Sequence, residues 1–125
     1  MDYSKLSDFE INLAVFEALH DGSPDCKEGS GGSMVIVSFE GDVVDGNAVE
    51  VGVERGVFNP CNNAADAWPI ITEKRIMLNP YCADDLWKCE APCSSDGFMT
   101  TYATAYNKNP LRAAMIVYLM MQESK

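Results

Sequence analysis

An α+β fold is what this sequence predicts: an antiparallel sheet of four to five strands, with N-terminal and C-terminal helices packed on it. Three observations carry the prediction. A capped stretch of helical periodicity opens the chain, several middle stretches alternate with a period of two, and an Asn-Pro start leads an almost wholly apolar stretch near the end. The 125 residues, 47% of them hydrophobic, suit a single domain over 1–125 with one modest core. The expected order is α-β-β-α-β-β-β-α.

Each element has its own signal. Ser7-Asp8-Phe9-Glu10 is a capping box, in which Ser7 and Glu10 each accept from the other's amide. Asp8 and Glu10 place negative charge where the helix dipole favours it. Phe9, Leu13, Phe16, Ala18 and Leu19 then form an apolar stripe, and Gly22 and Pro24 end the helix, predicted at 8–20. Residues 22–33 are mostly Gly and Ser, with Pro24, Asp25, Cys26, Lys27 and Glu28 among them, and read as a loop. That loop lacks the G-x-x-x-x-G-K-[ST] pattern of a phosphate cradle.

Residues 34–40 are rich in β-branched side chains and predict a strand. Asp45-Gly46-Asn47 signals a turn. Val49, Val51 and Val53 alternate with polar or small residues, so one face of the next strand should be buried, and the two strands should pair. Asn59-Pro60-Cys61-Asn62-Asn63 breaks the sheet. Pro69 fits a helix start, which predicts a short helix from Trp68–Pro69 to about Lys74. Strands follow at 76–78, at 86–90 and at 98–106, with a turn over 92–97. The last strand sets Thr100, Tyr102, Thr104 and Tyr106 on one side. Asn109 is a good N-cap and Pro110 a good first residue for the final helix. That helix is apolar on nearly every face, so it is either the central core helix or shared with a second subunit. It carries too much apolar surface for one small sheet to cover, which predicts a homo-oligomer, most simply a dimer.

Charge and cysteine content narrow the function. Nine Lys and Arg face 19 Asp and Glu, for a net charge of −10. This argues against direct binding to a nucleic-acid backbone, which needs clustered cations. The first residues show no secretory signal, and the longest apolar run, 113–121, is too short to span a bilayer, so no membrane partner is expected. Five cysteines are an odd number, and reduced thiols are favoured over disulfides.

Three stretches together resemble a known family: Ser7-Asp8-Phe9-Glu10-Ile11-Asn12, Ala65-Asp66-Ala67-Trp68-Pro69-Ile70-Ile71, and Asn109-Pro110-Leu111-Arg112-Ala113-Ala114-Met115. They are similar to the NinX family of small proteins from lambda-like and related phages and prophages. The segment 81–95, with three cysteines, departs from the shorter connection of that family. The resemblance implies a phage accessory protein in the cytoplasm of an infected bacterium, with no assured activity.

No catalytic set stands out. Cys82, Cys89 and Cys93, with Cys61 or His20, lack the paired knuckles of a zinc site. His20, the single histidine, complements the dipole at a helix end. Asp84, Asp85, Asp42, Asp45 and Asp66 suit Mg²⁺ chemically, but such clusters arise by chance among 19 acids. No cofactor is implied. A ligand pocket is the sharpest expectation: Asn59, Asn62, Asp66, Trp68, Tyr102, Tyr106, Asn109 and Arg112 combine stacking faces, a cation, helix amides and hydroxyl-binding groups. Arg112 sits against the dipole preference at a helix start, which marks it as a functional suspect, and Arg112, Trp68 and Asp66 are expected to face one cleft. The structural alternative is Trp68 and Pro69 in the core, Asn109 as a plain cap and Arg112 as a surface ion-pair partner.

Three functions follow in order. The first is sequestration, without catalysis, of a small nucleotide-derived ligand such as a host anti-phage signal, by analogy with phage sponge proteins. The second is an acidic interaction protein that inhibits a host nucleic-acid enzyme or defence protein. The third is a metal-assisted phosphodiesterase using Asp66.

Overall fold

The computed structural model describes residues 2–81, 83–95 and 99–123. Helix α1 spans Asp8–His20 and carries the capping box in full, with Ser7 Oγ accepting from the Glu10 amide at 3.1 Å and Glu10 Oε1 from the Ser7 amide at 3.0 Å. Its deepest residues are Ile11, Asn12 and Val15, whereas Phe9, Leu13 and Phe16 are only half-buried. The buried stripe is thus displaced from the one the large side chains suggest, and it contains an asparagine.

The strands form two three-stranded antiparallel sheets rather than the single sheet of four to five strands expected. The first is β1 (Cys26–Glu28), β2 (Met34–Val44) and β3 (Asn47–Phe58), in that order. The second is β4 (Met77–Tyr81), β5 (Leu86–Ser95) and β6 (Thr100–Asn107). The expected order therefore gains β1, a short strand inside the predicted loop. Physically, the break at residues 59–63 and helix α2 (Ala64–Lys74) lie between β3 and β4, and no ladder joins those strands. Helix α2 starts four residues before the predicted site because Asn63 caps it, accepting from the Ala65 amide at 2.9 Å, and Pro69 is carried inside. Strand β5 runs through the predicted turn to Ser95, with a bulge between Pro92 and Ser94. The rest of that turn, at 96–97, and the first residue of the predicted last strand, at 98, lie outside the described residues.

Helix α3 (Pro110–Glu123) is the centre of the core. Every residue of 113–119 is buried. The second sheet meets it with small side chains, Cys89, Ala91, Ala103 and Ala105, and α1 and α2 pack against it with Ile11, Val15, Ala67, Ile70 and Ile71. One chain thus covers this helix, which removes the ground on which its apolar faces predict a dimer.

The first sheet behaves differently. Met34 and Val35 are buried, but every residue of 39–52 is exposed. Asp45 and Gly46 form a two-residue turn with positive φ at both (52° and 80°), as Asp-Gly hairpins require. Beyond the short β1, β2 and β3 continue as a two-stranded arm about 20 Å long.

Candidate functional site

The three motif stretches converge in the fold on a polar network. Asn12, fully buried in α1, donates to Gly32 O at 3.0 Å and Asn59 Oδ1 at 2.8 Å, and accepts from the Cys61 amide at 3.1 Å. Asn62 donates to Asp8 Oδ2 at 3.0 Å and Gly31 O at 3.2 Å. Asp66, in the first turn of α2, accepts from the Asn59 amide at 2.9 Å. Asn109 donates to Cys61 O at 2.6 Å and Asn62 Oδ1 at 3.1 Å, while its own oxygen caps α3 at the Leu111 and Arg112 amides. Arg112 reaches Asp8 Oδ1 at 2.6 Å, Leu6 O at 2.6 Å and Ser4 O at 3.2 Å.

This arrangement explains residues that sequence left puzzling. Arg112 stands against the helix dipole because Asp8 and two carbonyls of the N-terminal segment neutralise and bind it there. The Gly-rich loop docks on the start of α1: a Cβ on Gly32 would meet Asp8 Cβ at 2.8 Å, and Gly32 has φ +77°. Its carbonyls serve Asn12 and Asn62 rather than a phosphate. Burial lifts the Cys61 thiol to about 12, with a smaller push from the Asp8 carboxylate.

Of the eight predicted ligand-binding residues, the fold brings Asn59, Asn62, Asp66, Asn109 and Arg112 together, bonded mainly to one another and to backbone. Trp68 is 58% exposed on α2, and among the described residues it and Tyr102 share no hydrogen bond with the network. Tyr102 and Tyr106 stand on the outer face of β6, as their alternation implied, and Tyr106 lines a hollow of about 300 Å³ with Asp2, Tyr3 and Ser4. Sequence reasoning missed Asn12 and Asp8. The available signal was an asparagine four residues after Asp8 and three before Val15, on one helical face.

The cysteine and carboxylate candidates are scattered. Among the described residues no three His, Cys, Asp or Glu side chains converge, and Cys82 lies outside them. Cys61 and Cys89 are buried free thiols, and burial raises Cys89 to about 11. His20 packs against Phe16, ring centroids 4.2 Å apart. Asp42 and Asp45 belong to the arm.

The arm is the feature sequence read differently. Val49, Val51 and Val53 do share one face, with Ser38, Glu40, Asp42 and Val44 opposite them. That face was expected to be buried, yet Val49 and Val51 are 38% and 40% exposed and only Val53, nearer the core, is half-buried. The other face carries Val37, Phe39 and Val43 beside Glu50 and Glu54. Phe39 lies across Gly52, 3.5 Å from where a Cβ would stand, and Val43 is 69% exposed. Residues 40–54 contain five acids and no Lys or Arg. Lys27 pairs with Glu54 at 2.8 Å and Arg55 pairs with Glu40, both at the foot of the arm. A hollow of about 360 Å³ lies there, lined by Asp25, Cys26, Lys27, Val37, Phe39, Gly52 and Glu54.

A small α+β chain with an inward-facing polar network and an outward-facing acidic arm is the class these observations define. The family model described as bacteriophage P22 NinX matches residues 2–122, through the segment 81–95, and the chain belongs to that family. No curated protein and no solved structure gives a match. No helix among the described residues is long and apolar enough to cross a membrane.

Proposed function

We propose that this phage-family protein is a non-catalytic binding protein that acts on a protein partner, with the β2–β3 arm as its contact element. The supporting observation is the uncovered arm itself. An isolated two-stranded ribbon is marginal in water, and alternation of valine with polar residues is the pattern of a face packed on something. Here both faces hold an apolar row beside a carboxylate row, with no cation between residues 40 and 54. The chemistry that fits is a cationic groove with an apolar floor, such as proteins use to hold nucleic-acid strands. Occupying such a groove blocks it.

A photo-crosslinking residue at Val43 or Val51, with Thr72 as control, tests this during phage infection. The expected result is one protein adduct from the arm positions and none from the control. A stoichiometric small nucleotide released from the purified protein, with no arm adduct, overturns it.

Sequestration of a small nucleotide-derived ligand is the second reading, and the hollow at the foot of the arm is what favours it. Phe39 supplies an exposed ring and Lys27 a cation, and about 360 Å³ is within the usual range of ligand pockets. It ranks second because two carboxylates, Asp25 and Glu54, outnumber that one cation, and because Arg112 and the α3 amides are already bonded within the fold.

A further inference from the structure

We propose that the free edge of β6 pairs with the same edge of a second copy of this chain, so that two three-stranded sheets become one six-stranded sheet across a twofold axis. This stands apart from the arm and from the packing of α3. The sheet order β4-β5-β6 leaves β6 an edge strand, bonded on one side to β5.

Edges are templates for pairing, and proteins guard them with charge, proline, shortness or bulges. The other outer strands follow that rule. Strand β4 has five residues and contains Pro80, β1 has three with Lys27 and Glu28, and β3 carries Glu50, Glu54 and Arg55. Strand β6 is eight residues, Thr-Thr-Tyr-Ala-Thr-Ala-Tyr-Asn, with neither charge nor proline. A chain of net charge −10 repels its copies almost everywhere, and this charge-free strand lets two of them meet without opposing carboxylates.

The position of the N-terminal segment sets the register. Asp2, Tyr3 and Ser4 stand off Thr104, Ala105 and Tyr106 across the hollow of about 300 Å³. Antiparallel pairing centred on Tyr102 uses residues 100–104, of which Thr104 alone borders that hollow. It sets Thr100 opposite Thr104 of the second copy and Tyr102, 54% exposed in one chain, opposite its own counterpart. Threonine and aromatic cross-strand pairs are both favourable, and a twofold contact is self-complementary. The dimer carries two arms, which raises avidity for any partner with repeated contact sites.

Sedimentation equilibrium at high micromolar concentration is expected to give twice the 13.7 kDa chain mass. Thr101→Lys with Tyr102→Lys should raise the dissociation constant at least tenfold and leave the far-ultraviolet spectrum unchanged. Val49→Glu with Val51→Glu on the arm should leave the dimer intact. In the unaltered protein, amide exchange over 100–104 should slow as concentration rises. A monomer at all concentrations, a dimer that survives the lysine pair, dissociation by the arm pair alone, or exchange independent of concentration each overturns the proposal. The crosslinking result for the arm is read separately and does not depend on this outcome.

Discussion

At the scale of single residues, Arg112 decides between a ligand site and a structural tie. Its side chain is 13% exposed and paired with Asp8, and it also holds two carbonyls of the N-terminal segment. Arg112→Ala leaves a half-buried carboxylate and those carbonyls without their donor, so urea unfolding should show a loss on the order of 3 kcal/mol. Arg112→Lys should recover little of it, because an ammonium cannot spread over three acceptors as the planar fork does. A negligible loss would return Arg112 to the ligand-binding reading. The thiols give a second prediction. Cys61 is raised to about 12 and Cys89 to about 11 by burial, while Cys26 and Cys93 are half-buried. Iodoacetamide on the native protein should label Cys26 and Cys93 and spare Cys61 and Cys89 until denaturant is added; early labelling of Cys61 would contradict the packing described. Sequence made part of this site legible. Ser7 and Asn109 are caps, and their capping bonds are local, so spacing alone finds those bonds. Asn12 was not legible as the hub because its partners Asn59 and Cys61 lie 47 and 49 positions away. Residue types at Asn59, Asn62, Asp66, Asn109 and Arg112 correctly suggested convergence, but type cannot say whether polar groups converge on a ligand or on each other.

At the scale of elements, helix ends were more legible than sheet partners. Helix α1 appears at its predicted bounds because capping box and stop signal are both local. Helix α2 was predicted too short because Pro69 reads as a first residue, whereas Asn63 caps a helix that carries the proline inside. Pro69 cannot donate to the Ala65 carbonyl. Pro69→Ala restores that donor at an exposed position, and a stability gain on the order of 1 kcal/mol is expected from thermal melts. A loss there would mean that the proline sets the direction of α2. The alternation of Val49, Val51 and Val53 gave the correct face but not its fate, since a period of two reports which side chains share a side and not what lies over them. Strand β3 is a ribbon beyond the core, and its stability is local. Replacing residues 41–50 by Asp-Gly retains the two-residue turn between the paired Glu40 and Val51. The melting temperature should then move by no more than a few degrees, because the removed residues are exposed throughout. A collapse of stability would show the arm to be part of the folding unit.

For the whole molecule, the uneven distribution of charge and burial sets the response to solvent. Tyr3, Cys61 and Cys89 all hold their protons more tightly in the folded state, Tyr3 at about 12 through burial and a hydrogen bond with Glu123. The protonated forms are the ones the fold accommodates, so their contribution is complete below the ordinary thiol value of 9.0 and is lost as pH rises towards the folded values. Stability should therefore fall on the alkaline side above that value. Salt separates the core from the arm. A net charge of −10 on 125 residues strains the compact state by self-repulsion, and ionic strength relieves it. Raising salt from about 0.01 M to about 1 M shortens the screening length from roughly 30 Å to 3 Å, and the melting temperature should rise. A contact between the acidic arm and a cationic groove responds in the opposite sense, because the same screening removes its long-range attraction. The β6 edge, being uncharged, should hold two copies together as well or better in salt. A single titration thus distinguishes three surfaces: stability rises, dimerisation is maintained, and partner binding by the arm weakens. Partner binding that strengthened with salt would assign it to the valine rows alone and deny the carboxylates a part in it.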